Sequence, residues 1–356
     1  MIGGYPRPKP LWKLYIGPLA MLAVVALFPL LARGGNAYLV DLARLCGIYV
    51  IIVCGLTLLM GYTGQVSLGH AGFYALGAYI PAVLVNSFKW PLALAIVAGI
   101  VGTALISLAI GKSILRLKGN HLGLATLCIG VIISQSVSRF TITGGTEGLF
   151  GLPQITLFGL LGRPEVRLLG LTLSSSVLKL YFVWIVVAAC ITWAIQLCET
   201  PGGRSLRAIE GDESAAESLG IDTFALKVKV FVASCVLAAI AGVLFAFVHS
   251  DGCLLPEEFG LMLNVQLVMM VVIGGMGSIW GSVAGGVILT ALHEIINLVG
   301  SAAGAVDTSR IEHLIFGVLL AVVLILSPSG MIPGLKKIAA TFRRKGVRGR
   351  GVSPSP

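Results

Sequence analysis

Charge is scarce in this chain: Asp, Glu, Lys and Arg make up 11% of its 356 residues while 57% are apolar, against about 25% and about 45–50% in soluble domains. That balance excludes an ordinary soluble enzyme or binding module and leaves an all-α integral membrane protein. Long polar stretches are absent too. The longest, from about Glu199 to Lys229, is too short for an independent enzymatic core. The seven cysteines contain no C-x-x-C pair, and all but Cys253 fall within apolar runs, as small packing residues do. Neither a Cys/His metal spacing nor a Ser/His/Asp cluster is present, which leaves a membrane enzyme as the weakest reading and implies no cofactor or metal. A nucleotide-binding P-loop is missing as well. Gly111-Lys112-Ser113 imitates its end, but Ile106 stands where the earlier glycine belongs, and the match falls inside an apolar run rather than after a strand.

What is present is a succession of apolar runs near residues 14–32, 38–60, 66–85, 91–111, 121–138, 178–198, 229–249, 259–273, 279–298 and 311–327. About 20 helical residues cross a hydrocarbon layer about 30 Å thick, so the pattern predicts a polytopic bundle of about ten transmembrane helices. The transmembrane domain then spans 1–335, with a cytoplasmic loop at 199–228 and a basic tail at 336–356. That tail carries seven Lys or Arg and no acid between Lys336 and Arg350 within a net charge of +10. It reads as a cytoplasmic anchor rather than a nucleic-acid arm. The first run lacks an A-x-A cleavage site, which favours a retained span over a signal peptide.

With both termini in the cytoplasm, 61–65, 112–120, 199–228 and 274–278 become inner loops, and most of the basic residues between spans fall on that side. The parity requires 259–298 to cross twice or to dip in and return, turning at "GGMGS" after a half-length helix. Outside lie a long loop from Arg139 to Lys179, capping the outer mouth, touching an external partner or merely structural, and shorter ones at 250–258 and 299–310.

Glycines interrupt two of the runs. Gly61-x-x-Gly64 precedes one and Gly274-x-x-Gly277 another. Irregular backbone at membrane depth survives only against protein or a watery cavity, and paired glycine-broken segments point to a transport path. Gln65, Ser67, Gly69, His70, Gly72, Tyr74, Gly274, Gly277 and Ser278 are therefore the candidate pathway residues. Ser67, His70 and Tyr74 are spaced to share one helical face. The rival reading makes Ser67 and His70 hydrogen-bonding glue between helices, and Gly69, Gly72 and Gly77 points of close backbone approach. Membrane-depth ionisable groups, which drive coupled carriers, are few. Glu294, with His293 and Asn297, is the main exception, as a proton site or a snorkelling group, while Asp41 and Arg44 are spaced to pair.

In "GRSLRAIEGDESAAESLGID", residues 203–222, Ser214 and Glu217 form a candidate capping box and Gly220 a stop. A helix of about six residues does not persist alone in water, so it needs a partner surface, to which Leu206, Ile209, Ala215, Ala216 and Leu219 offer an apolar side. Lying on lipid is the alternative, opposed by Glu210, Asp212, Glu213 and Glu217.

Five stretches together, "GYTGQVSLGHAGFYALGAY", "LRLKGNHLGLATL", "TGGTEGLFGLP", "GRSLRAIEGDESAAESLGID" and "VVIGGMGSIWGSVAGG", resemble in composition and order the larger permease subunits of branched-chain amino acid ABC importers, over about residues 38–330. The resemblance implies a second homologous permease, two cytosolic ABC ATPases, an external binding protein, and a bacterial inner-membrane location. It implies that 204–220 holds the helix coupling to the ATPase, with Arg204, Arg207, Ala215, Ala216, Glu217 and Gly220 matching the motif; Glu210, Gly211 and Ser214 depart from it. Leucine, isoleucine and valine are the implied substrates, with urea, short amides or other amino acids as alternatives, and a stand-alone channel or ion-coupled carrier as the different class.

Overall fold

A computed structural model describes residues 11–31, 37–117, 119–155, 165–168 and 171–302, together with 315, 317 and 318. Eleven α-helices lie within them: α1 (Leu11–Leu31), α2 (Ala37–Thr63), α3 (His70–Asn86), α4 (Leu92–Ile114), α5 (Asn120–Arg139), α6 (Ser175–Glu199), α7 (Pro201–Gly211), α8 (Glu213–Ser218), α9 (Thr223–Leu244), α10 (Leu261–Gly274) and α11 (Ile279–Ala302). The first nine apolar runs each fall on a helix; the run at 311–327 and the basic tail lie outside the described residues, 315, 317 and 318 aside. Among the described residues, six helices are long and apolar enough to cross a membrane, within α2, α4, α5, α6, α9 with its C-terminal extension, and α11. The ten-helix count is therefore not reached by length and hydropathy alone. α10, with 14 residues, measures only about 21 Å at 1.5 Å per residue.

Burial sorts the helices. α2 and α9 form the centre: α9 packs on α2, α3 and α4, and α2 also packs on α6 and α11. α4 shows how sequence sets this arrangement. Its buried residues Ala95, Gly99, Thr103, Ser107 and Gly111 recur every fourth position, while Leu94, Val97, Val101 and Leu105 are exposed. Small residues inward permit close helix contact in lipid, and large apolar residues outward suit acyl chains. A Cβ on Gly99 would stand 2.6 Å from Pro81 Cδ of α3, and one on Gly111 2.9 Å from Phe231 Cδ1 of α9. The α3–α9 crossing is tighter still, since a Cβ on Gly242 would meet the Tyr74 carbonyl oxygen at 2.2 Å.

Short strands close one end. β1 (Leu149–Phe150) pairs antiparallel with β4 (Cys253–Leu254), and β2 (Glu165–Leu168) with β3 (Leu171–Ser174). Leu152 N–H donates to Gly252 O and Ile155 N–H to Phe247 O, so the loop after α5 lies over the end of α9. There α9 runs on into a π-turn at Phe245–His249. Of the cysteines, Cys46, Cys54, Cys190, Cys198 and Cys235 are buried and free; Cys128 is exposed, so it is not the packing residue that its apolar run suggests. Gly111-Lys112-Ser113 is helical within α4.

Candidate functional site

The chain leaves helical geometry after Thr63 and resumes it at His70, so the second helix starts four residues later than the apolar run at 66–85 predicts. Gly64 takes φ +65, a left-handed conformation that glycine adopts without a Cβ penalty. One side of this break is buried in protein, with Gln65, Ser67 and His70 at 4%, 1% and 1% exposure, while Gly64 and Val66 are exposed on the other. Its backbone donors find partners on three helices. Leu68 N–H donates to Thr126 Oγ1 of α5 (3.1 Å), Ala71 N–H to Asn264 Oδ1 of α10 (2.9 Å) and Gln65 N–H to Leu59 O of α2 (3.3 Å). Those side chains answer the free N–H groups that a helix start leaves.

Ser67 and His70 do meet, but not as neighbours on one helical face, because Ser67 precedes the helix. Ser67 Oγ lies 2.9 Å from His70 Nδ1, and His70 Nε2 lies 2.6 Å from Ser234 Oγ of α9. A neutral imidazole donates through one nitrogen and accepts through the other, so both contacts are satisfied. Phe73 and Phe231 stand edge-on to the ring. Tyr74 is equally buried and stacks obliquely on Phe259, centroids 4.9 Å apart, while its hydroxyl has no protein partner. Gly69 and Gly72 are approach points. A Cβ on Gly69 would sit 2.1 Å from Thr126 O, and one on Gly72 would sit 3.0 Å from Gly130 Cα.

The second glycine break is a helical hairpin. α10 turns at 275–278 into α11, Gly275 takes φ +97, and Gly274, Gly281 and Gly285 let the two helices touch backbone to backbone. The two breaks meet: a Cβ on Gly61 would overlap the Met276 carbonyl oxygen, 1.5 Å away. Gly277 has open space around it. Ser278 supplies the carbonyl that accepts from Gly281 N–H at 2.8 Å.

Beside this junction lies the polar loop. α7 turns Gly203, Leu206 and Ile209 inward and Arg204, Arg207 and Glu210 outward; the Arg207 guanidinium lies over the Tyr62 ring, 5.5 Å from its centroid. The cap of α8 is not Ser214. α7 ends at Gly211, and the extended backbone of Asp212 frees its carboxylate to accept from Ser214 N–H (2.9 Å) and Ala215 N–H (3.1 Å). Glu217 does not close a capping box either; it accepts from Thr223 Oγ1 of α9 at 2.8 Å. Glu213 pairs with Lys227 of α9. Gly220, at φ +80, follows α8 as the expected stop. The apolar side foreseen for the loop splits in two: Ala216 is 1% exposed and faces the body, as do Leu206 and Ile209, whereas Leu219 is 79% exposed and Ala215 is exposed beside Ser214 and Ser218. Hence α8 is fixed to α9 on one side and offers a small apolar surface on the other.

Sequence reasoning missed Ser234, Thr126 and Asn264. Each is one of several polar residues in an otherwise apolar helix, and nothing in the spacing says which of them serves a break. At the strand-capped end, Arg44 pairs with Asp41 (2.8 Å), as the spacing suggests, and contacts His249 Nδ1 (3.3 Å). Lys179 and Gln154 hold Asp251 at 3.2 and 2.9 Å. Partial burial raises the Asp251 pKa, but the Gln154 and Lys179 hydrogen bonds outweigh it, and the net shift is downward. Glu258, in the turn between α9 and α10, is exposed at the surface, and partial desolvation of its carboxyl moves its pKa upward.

Residues 38–326 match the family model described as the branched-chain amino acid transport system / permease component. The chain is 31% identical over 340 residues to the high-affinity branched-chain amino acid transport system permease protein LivM of Salmonella typhimurium (strain LT2), covering 90% of this chain and 75% of that one. To LivM of Escherichia coli (strain K12) it is 32% identical over 335 residues, again 90% and 75%. To the Salmonella typhimurium permease LivH it is 27% identical over 305 residues, 82% of this chain and 93% of the relative.

Proposed function

The chain belongs to the branched-chain amino acid transport permease family, in its larger, LivM-like branch, and on that premise we propose how it works as the membrane subunit of an ABC importer. Substrate released by an external binding protein crosses between this chain and a second, homologous permease while two cytosolic ATPases close and reopen. Leucine, isoleucine and valine are the substrates. Both termini face the cytoplasm of a bacterial inner membrane, and about ten helices cross it, the hairpin of α10 and α11 included. The chain itself hydrolyses nothing.

One observation carries this reading: the surface loop and the two glycine breaks form one connected unit. α8 is tied to the first turns of α9 by Glu213–Lys227 and Glu217–Thr223. Eleven positions after Thr223, the same helix presents Ser234 to His70 at the start of α3. A displacement of α8 is thus delivered through α9 to the break at 64–69, which continues the last turn of α2, where Gly61 abuts the 275–278 turn. The docking surface is Ser214, Ala215 and Leu219, with Arg204 and Arg207 flanking it and Ala216, Glu217 and Gly220 fixing its shape. Gln65, Ser67, Gly69, His70, Gly72 and Tyr74, together with Gly274, Gly277 and Ser278, form the moving wall of the path. His70 acts as the hydrogen-bonded link rather than as a group touching substrate.

Reconstitution tests this. Vesicles holding this chain, its partner permease and the ATPases are expected to accumulate L-leucine only with ATP and the loaded binding protein. Uptake by this chain alone, without ATPases, would instead establish a channel or coupled carrier.

A further inference from the structure

Lipid sets a rule for the outside of a helical bundle: side chains that face hydrocarbon are apolar, because a polar group there meets no partner. Midway along their length α4, α6 and α11 obey it, exposing Val101 and Leu105, Ile185 and Ala189, and Val287 and Ile288 respectively. α5 does not. Its exposed residues are His121, Leu124, Cys128, Ile132, Gln135 and Arg139, which recur every three or four positions along one face and mix polar with large apolar side chains. His121 and Arg139 stand near the helix ends, within reach of water, but Gln135 lies a full turn inside, with Ser134 and Ser136 beside it. α5 packs on α3 and hardly at all on its chain neighbour α4, so it stands at the rim of the bundle with this face uncovered. Along the edge of the face, between α3 and α5, runs a groove of about 360 Å³ lined by Ile80, Leu84, Ile132 and Phe140. Ile132 and Phe140 are 62% and 61% exposed.

We propose that this face of α5, with its groove, is the surface on which the second permease packs, a helix of that chain lying along α5 and an apolar side chain of it filling the groove. Other surroundings suit only part of the face. Hydrocarbon leaves the Gln135 amide unpaired, and a purely aqueous lining gains nothing from Ile132, Phe140 and the apolar groove. A membrane-spanning protein suits both, since helices in lipid associate through close apolar packing and interhelical hydrogen bonds. The face runs the length of a spanning helix, beyond the reach of a cytosolic ATPase or an external binding protein. This surface rests on the importer reading above, which calls for a second permease, and deepens it by giving that chain a place to bind. The contact then lies one helix away from the first glycine break, because Gly69 and Gly72 pack on Thr126 and Gly130 of α5.

The test uses the co-expressed importer in intact membranes, with photoreactive benzoyl-phenylalanine in place of Ile132 or of Phe140 and, as controls, of Val101 on α4 or Ile185 on α6. Illumination is expected to join the first two to the second permease and to give no protein adduct from the controls. Three results overturn the surface while leaving the importer standing: no adduct from either position beside α5 in vesicles that import leucine, an adduct with any other protein or with a second copy of this chain, or equal adducts from the controls. A wild-type complex with no binding-protein-dependent uptake overturns both. Should one substituted chain fail to assemble, the other decides. Gln135→Leu gives a readout without a bulky probe. The dissociation constant of the solubilised permease pair, read by dilution in detergent, is expected to rise about threefold, the scale of one hydrogen bond between spanning helices. An unchanged constant denies the amide a place in the contact and overturns the proposal.

Discussion

Replacing Gly61 by alanine adds a single methyl group at the point where the two glycine breaks touch. Its Cβ would lie 1.5 Å from the carbonyl oxygen of Met276, so the 275–278 turn has to retreat by about 2 Å to restore ordinary contact. The obstacle is backbone, which has no rotamer to escape into. Overpacking of this kind costs about 1–3 kcal/mol, and the upper end, about 3 kcal/mol, applies here. Two neighbouring glycines supply the controls. Gly277 lies in the same turn with open space around it and no positive φ, so Gly277→Ala is expected to be nearly neutral. Gly64 also has open space but takes φ +65, which makes Gly64→Ala cost about 1–2 kcal/mol from conformation alone. Thermal unfolding of the purified chain in detergent measures the order; Gly61→Ala is expected to lower Tm by roughly 5 °C or more. Uptake is expected to fall with it if, as proposed above, this turn forms part of the wall of the path. A Gly61→Ala protein as stable as wild type, or a Gly277→Ala protein equally damaged, would refute the contact between the breaks.

Three further outcomes follow from the same geometry. Asp212→Ala is expected to destabilise α8 by about 1 kcal/mol, and Ser214→Ala by close to nothing, since only Asp212 accepts from the first turn; circular dichroism melts and ATPase stimulation separate the two. His70→Ala strands the Ser67 and Ser234 hydroxyls and opens a cavity, a loss of about 3 kcal/mol, whereas Ser234→Ala loses about 1 kcal/mol; equal effects would deny His70 its linking role. Asp251 has a folded pKa below its unfolded value. Its contribution is therefore present above the unfolded value of about 4 and is lost as pH falls through the lower, folded one. Asp251→Asn is expected to flatten that acid limb in a pH series of melts, and an unaltered limb would exclude the Lys179 pairing as its source.

Apolar runs located nine helices, α1–α6 and α9–α11, within a few residues, because burial in lipid leaves a long, uninterrupted signature in composition. Where a hydrogen bond decides the structure, the pattern misleads. The helix at 66–85 begins at His70 because Thr126 and Asn264, far away in the chain, bind the break's N–H groups; no local rule contains that information. The cap at Ser214 loses to Asp212 because the preceding helix runs on to Gly211 and leaves Asp212 extended. The glycine breaks were visible as paired motifs, yet their contact depends on α10 folding back against α11. Likewise, the apolar residues at 206–219 were legible as a group, but their division between body and surface required the position of α9.

The central claim is that ATP-driven motion enters through the exposed side of α8. Cysteine cross-linking in the co-expressed importer, in a Cys128→Ser background, tests it most directly with Leu219→Cys and Ala216→Cys as a pair. Leu219→Cys, at a position 79% exposed, is expected to join the ATPase and to do so differently with and without ATP, whereas Ala216→Cys, at 1%, is expected to give no product. A Leu219→Cys protein that never joins the ATPase while uptake proceeds would contradict the account.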